Sequence, residues 1–120
     1  MTDTLAGVPE LSVRRFDELQ PGEAFGPFTE PLPAPDRLPL LTLRVLRRAL
    51  HGIIPGGVLT RQRFAIHRAL PAEGEVGVLV RVGEQRRARA GLFTSFTFEL
   101  RDQEALCAVV EWTILDPEQA

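Results

Sequence analysis

The stretch GVLTRQRFAIHRALPAEGE, residues 57–75, decides the fold of this chain. From Thr60 to Leu70 it alternates polar and apolar side chains, and it then runs through Leu70-Pro71 into an acidic turn at 73–75. Alternation with a period of two is typical of a β-strand that buries one face. We therefore predict a strand over Thr60–Leu70, and we assign the rest of the chain around it.

Four further segments are predicted to be strands. Three follow the first one, at 75–82, 92–101 and 105–115, and in each of them apolar side chains recur at every second position. Residues 24–31 form the fourth, which contains Pro27 and ends at a proline cluster, as suits a strand end or a sheet edge. The short turn at 101–104 predicts an antiparallel hairpin between the last two strands. Residues 83–91 are predicted to be a polar loop.

A helix is predicted from Asp36 to Leu50, between the first two strands. Asp36 can cap its first turn, and Pro39 is tolerated there because that turn needs no hydrogen bond from it. Apolar residues at three- and four-residue spacing cover a face of this segment that is wider than a surface helix needs. His51-Gly52 ends the helix. The predicted fold class is α+β, with an antiparallel sheet of about five strands wrapped around one central helix.

Composition limits the chain to one domain, because 120 residues bury a single modest core. We predict a flexible arm over residues 1–12, the folded domain over 13–117 and a tail over 118–120. The formal net charge of -2 does not favour nucleic acid or an anionic membrane. Apolar runs are too short to span a membrane and no signal-peptide pattern is present, so a cytoplasmic location is expected. The single cysteine, Cys107, excludes an internal disulfide.

Residues 57–75, together with FDELQPGEAF at 16–25, resemble the MaoC-like (R)-specific enoyl-CoA hydratases and dehydratases, which have the hot-dog fold. The family's strand pattern is filled here by Val58, Gln62, Phe64, Leu70-Pro71 and Gly74, with glutamate in place of the usual aspartate. The resemblance extends from about Phe16 to Pro117. It implies a single hot-dog domain that handles acyl thioesters in fatty acid metabolism. No cofactor is expected.

The same resemblance implies catalysis by an aspartate and a histidine on an overhanging segment between the first strand and the helix. Here that interval is EPLPAPDRLP, residues 30–39, which is too short for the overhang and contains no histidine. No catalytic residue is carried over, so lyase activity of this chain alone is not expected. Three replacements are candidates: Asp36 and Glu30, which could serve a thioesterase, and His67. Their simpler interpretations are a helix cap, a solvated strand end, and a surface or interface residue.

Ligand binding is predicted for Arg86, Arg87 and Arg89, in the loop expected at 83–91. Arginines form charge-assisted, often bidentate hydrogen bonds with phosphates such as those of coenzyme A or an acyl carrier protein. Gly56 and Gly57 could let a ligand approach the backbone closely. A solvated loop explains the arginines without a ligand, and a tight turn explains the glycines. The two histidines, sixteen residues apart, predict no metal site.

Three functions remain open at this point. The first is a MaoC-like subunit that binds an acyl-CoA or acyl-carrier-protein thioester and supports a catalytic partner, since some dehydratases of the family pair a catalytic with a non-catalytic chain. The second is a stand-alone acyl-CoA thioesterase, and the third is a binding module without a thioester ligand. Because hot-dog domains pair side by side into one sheet, a homodimer or a heterodimer with a catalytic hot-dog subunit is expected.

Overall fold

A computed structural model of the chain describes residues 16–31, 38–49, 57–70 and 74–119. Most of these residues belong to five strands and one helix: β1 (Ala24–Pro31), α1 (Leu38–Ala49), β2 (Val58–Ile66), β3 (Glu75–Ala88), β4 (Gly91–Asp102) and β5 (Ala105–Asp116). The arm predicted over residues 1–12 lies outside the described residues, as do Asp36, His51 and Gly56. In the part of the chain that is described, no helix is both long and apolar enough to cross a membrane.

The five strands form one antiparallel sheet in the order β1-β3-β4-β5-β2. The predicted hairpin of the last two strands is confirmed, because Asp102 pairs with Ala105 across a two-residue turn. Strands that follow one another in the sequence, β3 to β4 to β5, are therefore neighbours in the middle of the sheet. β1 and β2 reach the two edges through longer connections, so their positions depend on contacts between distant parts of the chain.

β3 is longer than the sequence predicts, and the polar loop expected at 83–91 is largely strand. Gln85 pairs with Thr94 and Ala88 with Gly91, so the chain turns only at residues 89–90. Between Val82 and Gln85 the register shifts, and Gly83 and Glu84 together oppose one residue of β4. This β-bulge interrupts the apolar alternation, and for that reason the sequence pattern ended the strand too early.

The alternating apolar residues of β3, β4 and β5 share one face of the sheet, which carries the core. In β4 the predicted buried set is confirmed, namely Leu92, Thr94, Phe96, Phe98 and Leu100. Trp112 of β5 packs edge-on against Phe98 with ring centroids 5.5 Å apart. The indole Nε1 of Trp112 is buried and has no hydrogen-bond partner among the described residues.

The prediction of an α+β domain whose sheet wraps around a central helix is wrong. α1, the one α-helix among the described residues, has 12 residues and packs mainly on β1 and β3, at one edge of the sheet. Leu41, Val45 and Leu46 are fully buried. A helix about 10 Å across covers about two strands spaced about 4.8 Å apart, so one helix does not cover five. The described residues form a predominantly antiparallel sheet with one short α-helix.

Candidate functional site

Glu30, one of the candidate carboxylates, lies near the end of β1 and is buried, with 3% of its surface exposed. Arg44 of α1 donates from Nε to its Oε1 at 2.9 Å, and the same guanidinium donates to the carbonyl oxygen of Pro31. A carboxylate paired in this way ties the end of β1 to the helix. Asp36, the other candidate carboxylate, lies outside the described residues.

His67 follows β2 directly and its side chain is exposed. Its backbone N–H donates to the carbonyl oxygen of Cys107 at 2.8 Å, which continues the pairing of β2 with β5 by one residue. Nothing described in the structure brings an acidic or second histidine side chain to its imidazole. Over the described ranges, no group of three or more histidine, cysteine, aspartate or glutamate side chains could hold a metal ion. The catalytic role considered for His67 stays a prediction.

The three arginines predicted to bind a ligand point to different places. Arg86 pairs with Phe93, on the face of the sheet opposite the core, and its guanidinium carbon lies 4.5 Å from the centre of the Phe93 ring. Arg87 pairs with Leu92, a residue of the core face, and Arg89 lies in the turn. Adjacent strand residues face opposite sides of a sheet, so Arg86 and Arg87 do not converge on one ligand.

Gly57, also predicted to lie near a ligand, precedes β2. A Cβ atom at this position would lie 2.8 Å from Cγ2 of Ile114 and 3.1 Å from Cζ of Phe16. The missing side chain therefore makes room for two core residues, whether or not a ligand also approaches. Gly56 lies outside the described residues.

A cleft of about 300 Å³ opens on the outer face of the sheet, the face opposite the core. Four adjacent strands line it, with charged, hydroxyl and aromatic side chains that include Glu84, Arg86, Phe93, Ser95, Thr113 and Arg61. We call it the outer cleft. Only Arg86 among these was a predicted ligand-binding residue, because the others come together through the register of four strands.

Two β-bulges flank the outer cleft along a single row of the sheet. Ser95 pairs with Thr113 in the middle of this row. On one side the bulge of β3 places Glu84 beside Ser95, and on the other side a bulge in β2 places Thr60 and Arg61 opposite Thr113. Bulges redirect side chains and are frequent beside functional sites. The cleft is therefore built by the two places where regular strand geometry is interrupted.

β2 forms the edge of the sheet beyond β5, and its side chains are largely exposed. Register places Leu59, Phe64 and Ile66 on the core face, opposite Ile114, Val110 and Ala108. Despite this position, 42% of Leu59, 41% of Phe64 and 57% of Ile66 are exposed. α1 packs mainly on β1 and β3, at the other side of the sheet. The core face thus continues past β5 onto a strand whose apolar side chains meet solvent.

Comparisons with known proteins assign no family. No protein-family model matches the sequence, and no curated protein matches it. One solved structure with some likeness is the ChsH1-ChsH2 complex from Mycobacterium tuberculosis, at 21% sequence identity and a TM-score of 0.47. The match covers 54% of this chain and 39% of that chain, so this chain spans well under half the length of its structural neighbour. A likeness of this size decides neither fold nor function.

Proposed function

We propose that this chain is a MaoC-like supporting subunit of an enoyl-thioester hydratase or 3-hydroxyacyl dehydratase. It binds an acyl-CoA or acyl-carrier-protein thioester together with a second hot-dog chain, and it pairs with that chain along β2. The partner supplies the aspartate and histidine that act as acid and base on the substrate. This chain contributes surface and shape, and no catalytic residue.

The exposed apolar side of β2 is the observation that carries this proposal. An edge strand presents a row of unpaired backbone N–H and C=O groups, which another strand can bind. In β2 this row coincides with the exposed side chains of Leu59, Phe64 and Ile66. From Arg61 to Ile66, β2 pairs regularly with β5, and this segment contains no proline. A second sheet that continues from this edge would bury both the backbone groups and the apolar side chains.

The choice of partner rests on the sequence. Val58, Gln62 and Phe64 belong to the pattern that resembles the MaoC-like family, so the exposed strand and the resemblance coincide. The interval at 30–39 lacks the histidine of the family's catalytic segment. A chain that resembles the family in its strand pattern and lacks its acid–base pair suits a two-chain enzyme. In such an enzyme the other chain carries the catalytic residues.

The thioesterase alternative draws no support from Glu30. A general base or nucleophile has to reach a bound substrate. Glu30 is instead buried and accepts a hydrogen bond from Arg44 at 2.9 Å. Displacing that arginine would leave a buried carboxylate without its counter-charge, which is costly.

The test is to purify the tagged chain from its native host and to measure the native mass and the identity of whatever elutes with it. We expect a second hot-dog chain that carries an aspartate and histidine overhang. The purified pair should hydrate an enoyl-CoA, and this chain alone should not. Phe64→Glu should abolish the pairing of the two chains, because it buries a carboxylate in the apolar contact, where no group forms a hydrogen bond or ion pair with it.

Thr29→Glu is the matched control. Thr29 is an exposed residue of β1, at the opposite edge of the sheet, so the same charge is added away from β2. The control should retain the partner. Two results would overturn the proposal: hydration at enzyme-like rates by this chain alone, or a partner that Phe64→Glu retains as well as Thr29→Glu does.

A further inference from the structure

The outer cleft contains two arginines that, unlike other arginines on the outer face of the sheet, form no ion pair with a described carboxylate. Arg81 and Arg101 both form ion pairs with Glu99 at 3.3 Å, and Arg63 lies 3.8 Å from Glu111. Arg61 and Arg86 line the cleft, and no described carboxylate lies within ion-pair distance of either. Beside the cleft, each of the first three arginines is thus paired with a carboxylate, whereas inside it Arg61 and Arg86 share the lining with the single carboxylate of Glu84.

Arg86 is held in place before any ligand arrives. Its guanidinium lies over the Phe93 ring, with 4.5 Å from the guanidinium carbon to the ring centre. Contact with an aromatic face restricts the long side chain and leaves the N–H groups at the edge of the guanidinium free to donate. Restricting a donor in advance lowers the entropy lost on binding.

Arg61 reaches the cleft from the other side because of the bulge in β2. Thr60 and Arg61 together oppose Thr113, and the Thr60 hydroxyl donates to the carbonyl oxygen of Thr113 at 3.1 Å. This bond fixes the bulge. The Ser95 and Thr113 hydroxyls lie in the row of Arg61, and Arg86 lies in the next row along the sheet, beside Phe93. The two hydroxyls form a hydrogen bond with their oxygens 3.5 Å apart, and each can turn to donate to an anion instead.

We propose that the outer cleft binds the phosphate group of a small molecule, with Arg61 and Arg86 donating to its oxygens and Ser95 and Thr113 adding hydroxyl donors. Two guanidinium groups and two hydroxyls match the several acceptor oxygens of a phosphate, and arginine binds phosphate in a bidentate way. This site lies on the outer face, away from Phe64 and Ile66, and it does not rest on the function proposed above.

Glu84 narrows the choice of ligand. Its carboxylate lines the cleft and repels any second anionic group. It can accept a hydrogen bond from a hydroxyl group beside the phosphate. A phosphate monoester of a hydroxylated molecule therefore fits the cleft better than a polyphosphate does.

Isothermal titration calorimetry of the full chain tests the site, with inorganic phosphate and ribose 5-phosphate as separate probes. Arg61→Gln and Arg86→Gln should each weaken binding at least about tenfold, because each removes charge-assisted hydrogen bonds. Glu84→Gln should tighten the binding of inorganic phosphate by removing the repulsion. Arg63→Gln and Arg81→Gln on the same face are the matched controls, and they should change affinity less than about twofold since their charges are already paired.

Each outcome has a defined meaning. If both probes bind and the cleft variants weaken the binding of both, the site is supported and free phosphate is a sufficient ligand. Binding of ribose 5-phosphate alone, weakened by the same variants, supports it with a phosphate ester as the ligand. Saturable binding of neither probe, or equal losses in the controls and the cleft variants, overturns the proposal. Far-ultraviolet circular dichroism of every variant separates lost binding from lost folding.

Discussion

The two edge strands of the sheet, β1 and β2, meet solvent in different ways. β1 contains Pro27 and a bulge at Gly26-Pro27, and its Phe25 and Phe28 are buried. α1 packs against it, and the Arg44–Glu30 ion pair joins the two. β2 pairs regularly from Arg61 to Ile66 and leaves its apolar side chains exposed. Among the described residues, one edge is closed by the chain itself and the other is left open.

The difference teaches that alternation predicts which face of a strand is apolar and does not predict whether that face is covered. Phe28 and Phe64 occupy equivalent positions, each on the core face of an edge strand. Phe28 is 2% exposed and Phe64 is 41% exposed. The helix packs mainly on β1 and β3, so burial is decided by what packs on the strand. An apolar edge that the described part of the chain leaves open is suited to a partner.

The largest expected effect compares these two phenylalanines. Phe28→Ala should lower the free energy of unfolding by about 3–5 kcal/mol, because it removes a buried ring and leaves a cavity. Phe64→Ala should cost about 1–2 kcal/mol in the isolated chain, since 41% of the residue is already in water. Urea denaturation of both variants measures the difference. Equal losses would mean that β2 is covered as well as β1 is.

A smaller effect is expected at the bulge that closes β1. Gly26 has a φ of 103°, and a Cβ atom there would lie 2.9 Å from the backbone nitrogen of Phe28 and 3.0 Å from the carbonyl oxygen of Val78. Gly26→Ala should therefore cost about 2–3 kcal/mol, from backbone strain together with the clash.

Gly22 provides the control for this substitution. Its φ is 94°, and a Cβ atom there would have no neighbour within 4 Å. Gly22→Ala carries the strain without the clash, so its loss of stability in the same denaturation experiment should be the smaller one. A larger loss for Gly22→Ala would show that the close packing at the β1 bulge contributes little.

The smallest effect compares an ion pair at each edge. Glu30→Gln removes the charge of a buried carboxylate beside Arg44 and should cost about 1–2 kcal/mol, with solvent around Arg44 limiting the loss. Glu111→Gln breaks an exposed pair with Arg63 of β2 and should cost less than about 0.5 kcal/mol. Thermal unfolding at low and high salt checks both. If the Glu111 variant lost more, the charges at β2 would matter more than the buried pair.

The middle of the sheet could be predicted from the sequence because its contacts are local. The hairpin of β4 and β5 follows from the two alternating runs and the turn at 103–104, and the buried face of β4 is the predicted one. The segment Val76–Val82 is likewise buried at alternate positions, as its four valines predict. In each case the pattern and its pairing partner lie within one hairpin.

The position of the helix and the outer cleft could not be predicted in the same way. The apolar pattern of α1 predicts the width of the helix's buried face. It does not predict which strands of the sheet the helix packs on. The cleft needs Arg61 beside Thr113 and Glu84 beside Ser95, and both neighbours result from bulges that shift the register by one residue. A shift of one residue exchanges the two faces of a strand, so alternation cannot follow a side chain past a bulge.

Trp112 gives this protein a built-in optical probe. It is the single tryptophan of a chain without tyrosine. Excitation at the long-wavelength end of the protein's ultraviolet absorption band therefore gives fluorescence from one indole ring. The ring is buried on β5, and the residue pairs in register with Gln62 of the edge strand β2. Its emission therefore reports on a single place in the molecule, the border between the closed core and the exposed edge.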